Sequence, residues 1–115
     1  MIGIDIISIN RIEKMIQKFD TKAKNRFMTK NEQVWAIKPS SIAGVWASKE
    51  AFSKAIGTGI GKEFNFLDIE IYKDKLGKPH IQILNENLKN KLENKKIDIS
   101  ITHDGGFAIS AVIIL

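Results

Sequence analysis

The first strongly patterned stretch of the chain is an alternation of apolar and other side chains over residues 2–7. Isoleucines occupy one face of this segment, and the opposite face carries Asp5 between Gly3 and Ile7. Side chains that alternate between two faces are typical of a β-strand. Aspartate is poorly suited to a strand interior. Asp5 is therefore either paired with a neighbouring backbone group or presented by a rigid element as an oxygen ligand for a metal ion.

The next stretch changes to helical periodicity. Ser8 is a suitable N-cap, and apolar residues from Ile9 to Phe19 recur on a single face. One flank of the predicted helix is basic, with three cations within about 60° of one another around the axis. These positions and the adjacent apolar residue are Arg11, Lys14, Lys18 and Met15. Such a ridge is either simply solvated or a docking surface for an acidic helix.

A polar segment, residues 20–26, separates this helix from the next predicted one. Thr29 and Glu32 have the spacing of a capping box, which predicts a short helix through Ile37. Phe27, just before the cap, is the predicted core anchor of this region.

A long central helix is predicted between Pro39 and Gly57. Pro39 with the two serines after it provides a start, and Gly57 and Gly59 provide a stop. The helix has a bulky apolar stripe opposite a stripe of small residues, so we expect it to pack on two sides. The bulky stripe is Ile42, Val45, Phe52 and Ile56, and the small one is Ala43, Gly44, Ala47, Ala51 and Ala55.

Two charged residues of this helix, Glu50 and Lys54, lie one turn apart on the seam between its apolar stripes. One interpretation is an ordinary ion pair, worth a few tenths of a kcal/mol. The other is that Glu50 faces a metal ion and Lys54 faces an anion.

A glycine-rich turn, Gly57 to Gly61, follows the helix. Dinucleotide-binding loops and P-loops open a helix instead, so this position argues against both. Helix termination is the simplest explanation. The backbone N–H groups and the Thr58 hydroxyl could also contact a phosphate.

The second half of the chain predicts two hairpins and one helix. Each hairpin has a glycine-containing turn, and its strands have alternating apolar positions except the last one, which is nearly all apolar. The segments are a strand pair at 67–72 and 81–83, a helix carrying Leu84, Leu88 and Leu92, and a strand pair at 97–101 and 107–115. With the first strand, these elements predict an α+β fold in which an antiparallel sheet packs with helices.

Composition limits the possible architectures and partners. The 115 residues, 43% of them hydrophobic, suit one domain over residues 1–115. The absence of cysteine excludes disulfides and thiol nucleophiles and fits a reducing cytoplasm, where we expect the protein. We find no signal peptide and no stretch long enough to cross a membrane. A net charge of +5 favours an anionic partner, which could be a nucleic acid, a phosphorylated small molecule, an acidic protein or a lipid surface.

The histidines do not predict a zinc site, because His80 and His103 are the only two and lack metal-ligand spacing. Asp5 and Glu50 are better suited to Mg²⁺, which takes few protein ligands and completes its shell with water and substrate phosphate.

Four motifs in order carry a family resemblance. They are Gly3-Ile4-Asp5 with Arg11-Ile12, Trp46 to Gly59 with Lys49-Glu50-Ala51 and Lys54-Ala55, Gly77-Lys78-Pro79, and Ser100 to His103. Together, over nearly the whole chain, they closely resemble the holo-acyl-carrier-protein synthase family of bacterial 4′-phosphopantetheinyl transferases. The resemblance implies an enzyme of fatty acid synthesis with the corresponding α+β fold. Its reaction would be the Mg²⁺-dependent transfer of 4′-phosphopantetheine from coenzyme A to a serine of apo acyl carrier protein, releasing adenosine 3′,5′-bisphosphate.

The resemblance also implies roles for individual residues. Asp5 and Glu50 would hold Mg²⁺, Glu50 and Lys54 would be catalytic, and Glu50 is the candidate base for the serine hydroxyl. The residues expected at coenzyme A are Lys49, Lys54, Gly57, Thr58, Gly59, Lys78, Pro79 and His103. Those expected to dock the carrier are Arg11, Lys14, Met15 and Lys18. The family further implies a homotrimer with coenzyme A at the subunit interfaces.

One residue departs from the family pattern, and two other functions remain as alternatives. The family commonly has a basic residue where this chain has Val45, so one cationic contact is missing or comes from elsewhere. A nucleic-acid-binding module would use the lysines together with Phe64, Phe66 and Tyr72, but it leaves the two carboxylates unexplained. A Mg²⁺-dependent phosphohydrolase would use the same carboxylates with water as the nucleophile.

Overall fold

Helices and strands are interspersed along the chain, and the strands pair only in antiparallel fashion. The computed structural model describes all 115 residues. The elements are β1 (Ile2–Ser8), α1 (Ile9–Phe19), α2 (Thr21–Phe27), α3 (Lys30–Trp35), α4 (Pro39–Ile56), a 3₁₀ turn (Phe66–Asp68), β2 (Ile69–Lys73), β3 (Pro79–Ile83), α5 (Glu86–Lys91), β4 (Ile97–Asp104) and β5 (Phe107–Ile114). The predicted α+β class is confirmed. None of the helices combines the length and the apolar character needed to cross a bilayer.

The main sheet has three strands in the order β1-β5-β4, and β2 and β3 form a separate hairpin. Asp5 on β1 lies opposite Ser110 on β5, which lies opposite Ile101 on β4. These three residues therefore share one face of the sheet, which we call the inner face because α4 packs on it.

The central helix α4 crosses the inner face at close range. A Cβ added to Gly3 would lie 1.9 Å from the Ala51 carbonyl oxygen, and one added to Gly44 would lie 3.1 Å from Ile101. The opposite side of α4 is also covered, where Phe52 is fully buried. The predicted packing on two sides is therefore confirmed, and the small residues are what allow the close approach.

The predicted helix ends are largely confirmed. The side chain of Ser8 accepts a hydrogen bond from the N–H of Arg11, and Thr29 and Glu32 form the predicted capping box. Gly57 ends α4 with a φ of 86°, in the left-handed region that glycine adopts readily. The N-cap of α4 is Lys38, with Pro39 at the first helical position, so the following serines are inside the helix.

Several boundaries differ from the prediction. The polar segment forms α2, in which only Ala23 and Phe27 are buried. Two apolar positions are too few to show a helical periodicity, so the sequence did not predict this helix. α3 ends at Trp35 and not at Ile37. Leu67 belongs to the 3₁₀ turn before β2, and Leu84 precedes α5.

The outer face of the main sheet is apolar and uncovered in a single chain. The three alternating isoleucines of β1 are exposed by 73%, 63% and 58%, at Ile2, Ile4 and Ile6 respectively. Ile113 lies opposite Ile2 on the same face and is also exposed. A contiguous apolar sheet face of this kind is typical of a protein interface.

Candidate active site

The carboxylate of Asp5 and the ammonium of Lys54 meet where β1 runs beneath the last turn of α4. Lys54 Nζ donates to Asp5 Oδ1 at 2.9 Å and to the Ile4 carbonyl oxygen at 3.1 Å. Half of the Lys54 side chain remains exposed, so it also faces solvent. Lys54 therefore pairs with Asp5, and the simple helix pair with Glu50 is not formed.

Glu50 completes this cluster from one turn earlier on α4. Burial raises the pKa of its carboxyl group, and the negative charge of Asp5 raises it further. The nearby Lys54 and Arg11 oppose this shift. Two carboxylates and two cations thus come together from β1, α1 and α4, at the end of the basic ridge.

The donor set suits Mg²⁺. Asp5 and Glu50 offer hard carboxylate oxygens, and their repulsion would be relieved by a divalent cation between them. No group of three or more metal-ligating side chains of the His, Cys, Asp and Glu types is assembled anywhere in the chain. A cation held by these two carboxylates would therefore keep positions for water and for the oxygens of a substrate.

The glycine-rich turn lies directly after Lys54, but its glycine N–H groups and the Thr58 hydroxyl already have partners. The N–H groups of Gly57 and Gly59 both donate to the Ser53 carbonyl oxygen, and the Thr58 hydroxyl donates to the Gly59 carbonyl oxygen. These bonds terminate α4, as the simpler interpretation expects. A ligand phosphate would have to compete with them for the Thr58 hydroxyl.

Lys49 is not at the site, and the expected contact with coenzyme A is wrong. Its side chain is completely buried, and Nζ donates to Glu32 Oε1 and to the Phe27 carbonyl oxygen, each at 2.7 Å. Burial lowers the pKa of this ammonium, and the Glu32 carboxylate opposes the shift. Because successive helix residues are about 100° apart, Lys49 points into the core while Glu50 faces β1.

Lys78, Pro79 and His103 lie away from the carboxylates of the same chain. Lys78 Nζ pairs with Asp98 Oδ1 at 2.8 Å. Asp98 lies on β4, three residues before Ile101. From the strand spacing, Asp98 is about 14 Å from Asp5, and His103 is about 12 Å from it in the opposite direction along β4. A single chain therefore does not assemble the whole predicted coenzyme A site.

The basic ridge predicted on α1 borders an apolar groove that the sequence did not reveal. Arg11, Lys14 and Lys18 are exposed, and Met15 is half-buried at the groove wall. The groove has a volume of 780 Å³ and runs between α1, α2, α4 and the 3₁₀ turn. It is lined mainly by Met15, Phe19, Phe27, Trp46, Ile60 and Phe66, with Lys22 and Arg26 as its cationic members.

The burial of apolar residues bears on two points raised by the sequence, the valine at a usually basic family position and the nucleic-acid-binding hypothesis. Val45 is fully buried, so it packs in the core where the family pattern has a basic residue. Phe64 is buried against Phe52, Phe66 packs on Trp46, and Tyr72 stacks on His80. The three aromatics proposed for nucleic acid binding therefore form no common stacking surface.

The chain is similar to known proteins over nearly its whole length. The family model of the 4′-phosphopantetheinyl transferase superfamily matches residues 1–112. The holo-[acyl-carrier-protein] synthase of Nautilia profundicola is 56% identical over 115 residues, covering 100% of this chain and 99% of that protein.

Solved structures agree with this similarity. The crystal structure of Helicobacter pylori holo-[acyl-carrier-protein] synthase in complex with coenzyme A is 46% identical, with a TM-score of 0.93 and full coverage of both chains. The Bacillus anthracis synthase, in complex with coenzyme A (3′,5′-ADP), is 44% identical, with a TM-score of 0.81 over 98% of this chain and 93% of that one. The chain therefore belongs to the 4′-phosphopantetheinyl transferase superfamily.

Proposed function

We propose that this protein transfers 4′-phosphopantetheine from coenzyme A to a serine hydroxyl of apo acyl carrier protein. The observation that carries the proposal is the cluster of Asp5, Glu50 and Lys54, which offers a divalent-cation site beside a cation for phosphate. The relatives named above are holo-[acyl-carrier-protein] synthases, and two solved relatives contain coenzyme A or its nucleotide.

In the proposed reaction, the serine oxygen attacks the phosphorus atom that bears the pantetheine arm. A new P–O bond forms, the bond to the second phosphate breaks, and adenosine 3′,5′-bisphosphate leaves. Glu50 takes the serine proton directly or through a water molecule. Lys54, half exposed beside Asp5, lies against the diphosphate and stabilises the charge on its oxygens.

The proposed cofactor is Mg²⁺, held by Asp5 and Glu50. When bound, it would supply positive charge that neutralises the charge developing on the leaving group. Asp5 would exchange its contact with Lys54 for the metal, which would free the ammonium for the substrate. Of the glycine-rich turn, Gly57, Thr58 and Gly59 would lie close enough to Lys54 to contact the same phosphates.

The carrier protein would dock on α1 and the adjoining groove. Arg11, Lys14 and Lys18 give a positive edge, and Met15 gives an apolar contact at the groove wall. An acidic helix with an apolar side chain facing inward would satisfy both features. Burial raises the pKa of the Glu50 carboxyl group and the positive charge of Arg11 opposes this shift, so Arg11 lies near this carboxylate. A carrier bound to the ridge would therefore lie next to the reacting phosphate.

Reversing charge on this ridge should weaken carrier recognition selectively. We expect Arg11→Glu or Lys18→Glu to raise the KM for the carrier by about tenfold or more, since charge repulsion replaces attraction. The KM for coenzyme A should change by less than about twofold. Steady-state kinetics with each substrate varied in turn would measure both, and equal changes in the two constants would contradict the docking ridge.

We also propose a homotrimer with coenzyme A bound at the subunit interfaces. The exposed isoleucines of β1 provide an apolar surface for a neighbouring subunit. A neighbour could also bring its own Lys78, Pro79 and His103 to the carboxylate cluster, because within one chain Asp98, which pairs with Lys78, is about 14 Å from Asp5 and His103 is about 12 Å from it.

An acidic residue on the apolar face should separate the subunits. Ile4 is 63% exposed, so Ile4→Asp should leave the folded chain intact while placing a charge in the proposed interface. We expect a monomer by sedimentation velocity and a loss of transfer of about a hundredfold or more, because the coenzyme A site is then incomplete. Lys73→Asp, at the exposed end of β2 in the other sheet, is the control. A variant that remains trimeric would contradict this interface.

The biological setting of the proposed reaction is fatty acid synthesis in the cytoplasm. A chain without cysteine suits a reducing compartment. Coenzyme A and an acidic carrier protein are both anionic, which matches the net charge of +5.

The decisive test is mass spectrometry of apo acyl carrier protein after incubation with this protein, coenzyme A and Mg²⁺. The carrier serine should gain about 340 Da, the mass of one phosphopantetheine unit, and the gain should vanish with EDTA. Cleavage of coenzyme A without any gain on a folded carrier would instead favour the phosphohydrolase.

A further inference from the structure

The buried ion pair between Lys49 and Glu32 has no part in the proposed reaction. Both side chains are fully buried, and Lys49 Nζ lies 2.7 Å from Glu32 Oε1. Desolvation makes such pairs poor contributors to stability, and an apolar pair of similar size often stabilises a core more. A role in fixing the relative positions of the elements is therefore the better explanation for a charged pair in this core.

The pair belongs to a polar network that ties α4 to three other segments. Besides Lys49, Glu32 accepts hydrogen bonds from the N–H of Thr29 at 2.8 Å and from the N–H of Ile71 at 2.6 Å. Lys49 also donates to the Phe27 carbonyl oxygen. No buried side-chain nitrogen or oxygen lacks a partner. A fully satisfied network of this kind holds its members in one arrangement.

The network reaches the apolar groove through Phe27. The Phe27 ring packs edge-on against Trp46 at 5.1 Å and against Phe66 at 6.0 Å, and all three rings line the groove. The main chain of Phe27 is thus tied to Lys49, which directly precedes Glu50. One helix, α4, carries a groove wall at Trp46 and the site carboxylate at Glu50 about one turn later.

We propose that the Lys49–Glu32 ion pair is a positioning device that fixes the Phe27 wall of the groove relative to Glu50. The inference rests on the proposed function, because the groove is taken as the place where the carrier docks. Lys49 and Glu32 touch neither substrate. They hold the groove wall in the position that fits the carrier beside the carboxylate cluster, so a shifted wall should weaken carrier binding.

The test variant replaces the pair by neutral groups of similar shape, Lys49→Met with Glu32→Gln. The amide introduced by Glu32→Gln has one acceptor oxygen where the carboxylate has two, so the N–H of either Thr29 or Ile71 loses its partner. No buried charge is left unpaired, so the fold should survive with reduced stability. The Phe27 carbonyl oxygen loses its partner, so the groove wall should shift. We expect the Kd for apo carrier protein, measured by calorimetry without coenzyme A, and the KM for carrier each to rise about tenfold, while the KM for coenzyme A stays within about twofold.

A purely structural role predicts a different result. A loss of stability would lower the active fraction and therefore kcat, but it would leave both KM values unchanged. Leu92→Ala, which truncates a core residue after α5, is the control for that behaviour. Unchanged carrier Kd and KM in the folded double variant would overturn the proposal.

The double variant Lys49→Gln with Glu32→Gln provides the same test if Lys49→Met with Glu32→Gln does not fold. It also leaves no buried charge unpaired, and the shorter amide at position 49 holds the Phe27 carbonyl oxygen less closely than the Lys49 ammonium does, so we expect a rise of about threefold in the carrier Kd. An unchanged Kd in this variant would also overturn the proposal. Because the Kd needs no turnover, these outcomes are distinct from failure of the proposed transfer, which would appear in the unmodified protein.

Discussion

Glu50→Gln should reduce phosphopantetheine transfer by about a thousandfold or more, because it removes one of two proposed metal ligands together with the candidate base. The substitution keeps the size and shape of the side chain, so packing on α4 is preserved. It also removes the repulsion from Asp5 that helps to raise the pKa of Glu50. We therefore expect a melting temperature equal to or above that of the unmodified protein, together with near-complete loss of Mg²⁺-dependent turnover. The carrier mass assay and thermal unfolding measure the two effects.

The matched control is Glu93→Gln, which makes the same chemical change at an exposed glutamate after α5. It should leave transfer within about twofold of the unmodified rate. Asp5→Asn should resemble Glu50→Gln, since it removes the second carboxylate of the cluster. Transfer by Glu50→Gln at an undiminished rate under saturating Mg²⁺ would refute the assignment of both the metal ligand and the base.

The parts of the fold that could be predicted from the sequence are those with a long or repeated pattern. The alternation in β1 and the double-sided apolar pattern of α4 each extend over many residues, and both were confirmed. α2 was missed because only Ala23 and Phe27 are buried in it, so its composition resembles that of a polar loop. Its helical state depends on tertiary contacts of Phe27 that no local pattern contains.

The candidate site was partly predictable for a related reason. Asp5 and Glu50 were recognised as a pair of carboxylates, and the structure brings them together. Lys49 was assigned to the ligand through its motif, but its orientation depends on Glu32, which is 17 positions earlier in the chain. The groove likewise combines side chains from separate segments. Adjacency in the sequence therefore identified the chemistry of α4 but not the direction in which each residue faces.

The two faces of β1 illustrate the same limit. The wholly apolar isoleucine face is the exposed one, and the face with Asp5 lies under α4. The reason is steric, because only the face with Gly3 lets the small residues of α4 approach the strand. This choice also decides function, since it brings the Asp5 carboxylate to Lys54 and Glu50.

Gly3→Ala should therefore be far more harmful than its size suggests. The new methyl group would lie 1.9 Å from the Ala51 carbonyl oxygen and 2.6 Å from the Ala55 nitrogen, and both are backbone atoms of a helix that cannot rotate away. α4 would have to move off β1, which carries Glu50 and Lys54 away from Asp5. We expect a loss of about 3 kcal/mol in the free energy of unfolding. Transfer should also fall by about a hundredfold in whatever fraction remains folded. Urea unfolding and the carrier mass assay would measure the two losses.

Two other glycines give a graded control for this effect. A Cβ at Gly44 would meet only the Ile101 side chain at 3.1 Å, and a Cβ at Gly61 would meet no atom within 4 Å. Gly44→Ala should cost less than Gly3→Ala, since a side chain can adjust where a backbone cannot, and Gly61→Ala should be close to neutral. If Gly3→Ala were as stable as Gly61→Ala, α4 could not lie as close to β1 as the structure has it. The geometry that joins Asp5 to Glu50 and Lys54 would then be wrong as well.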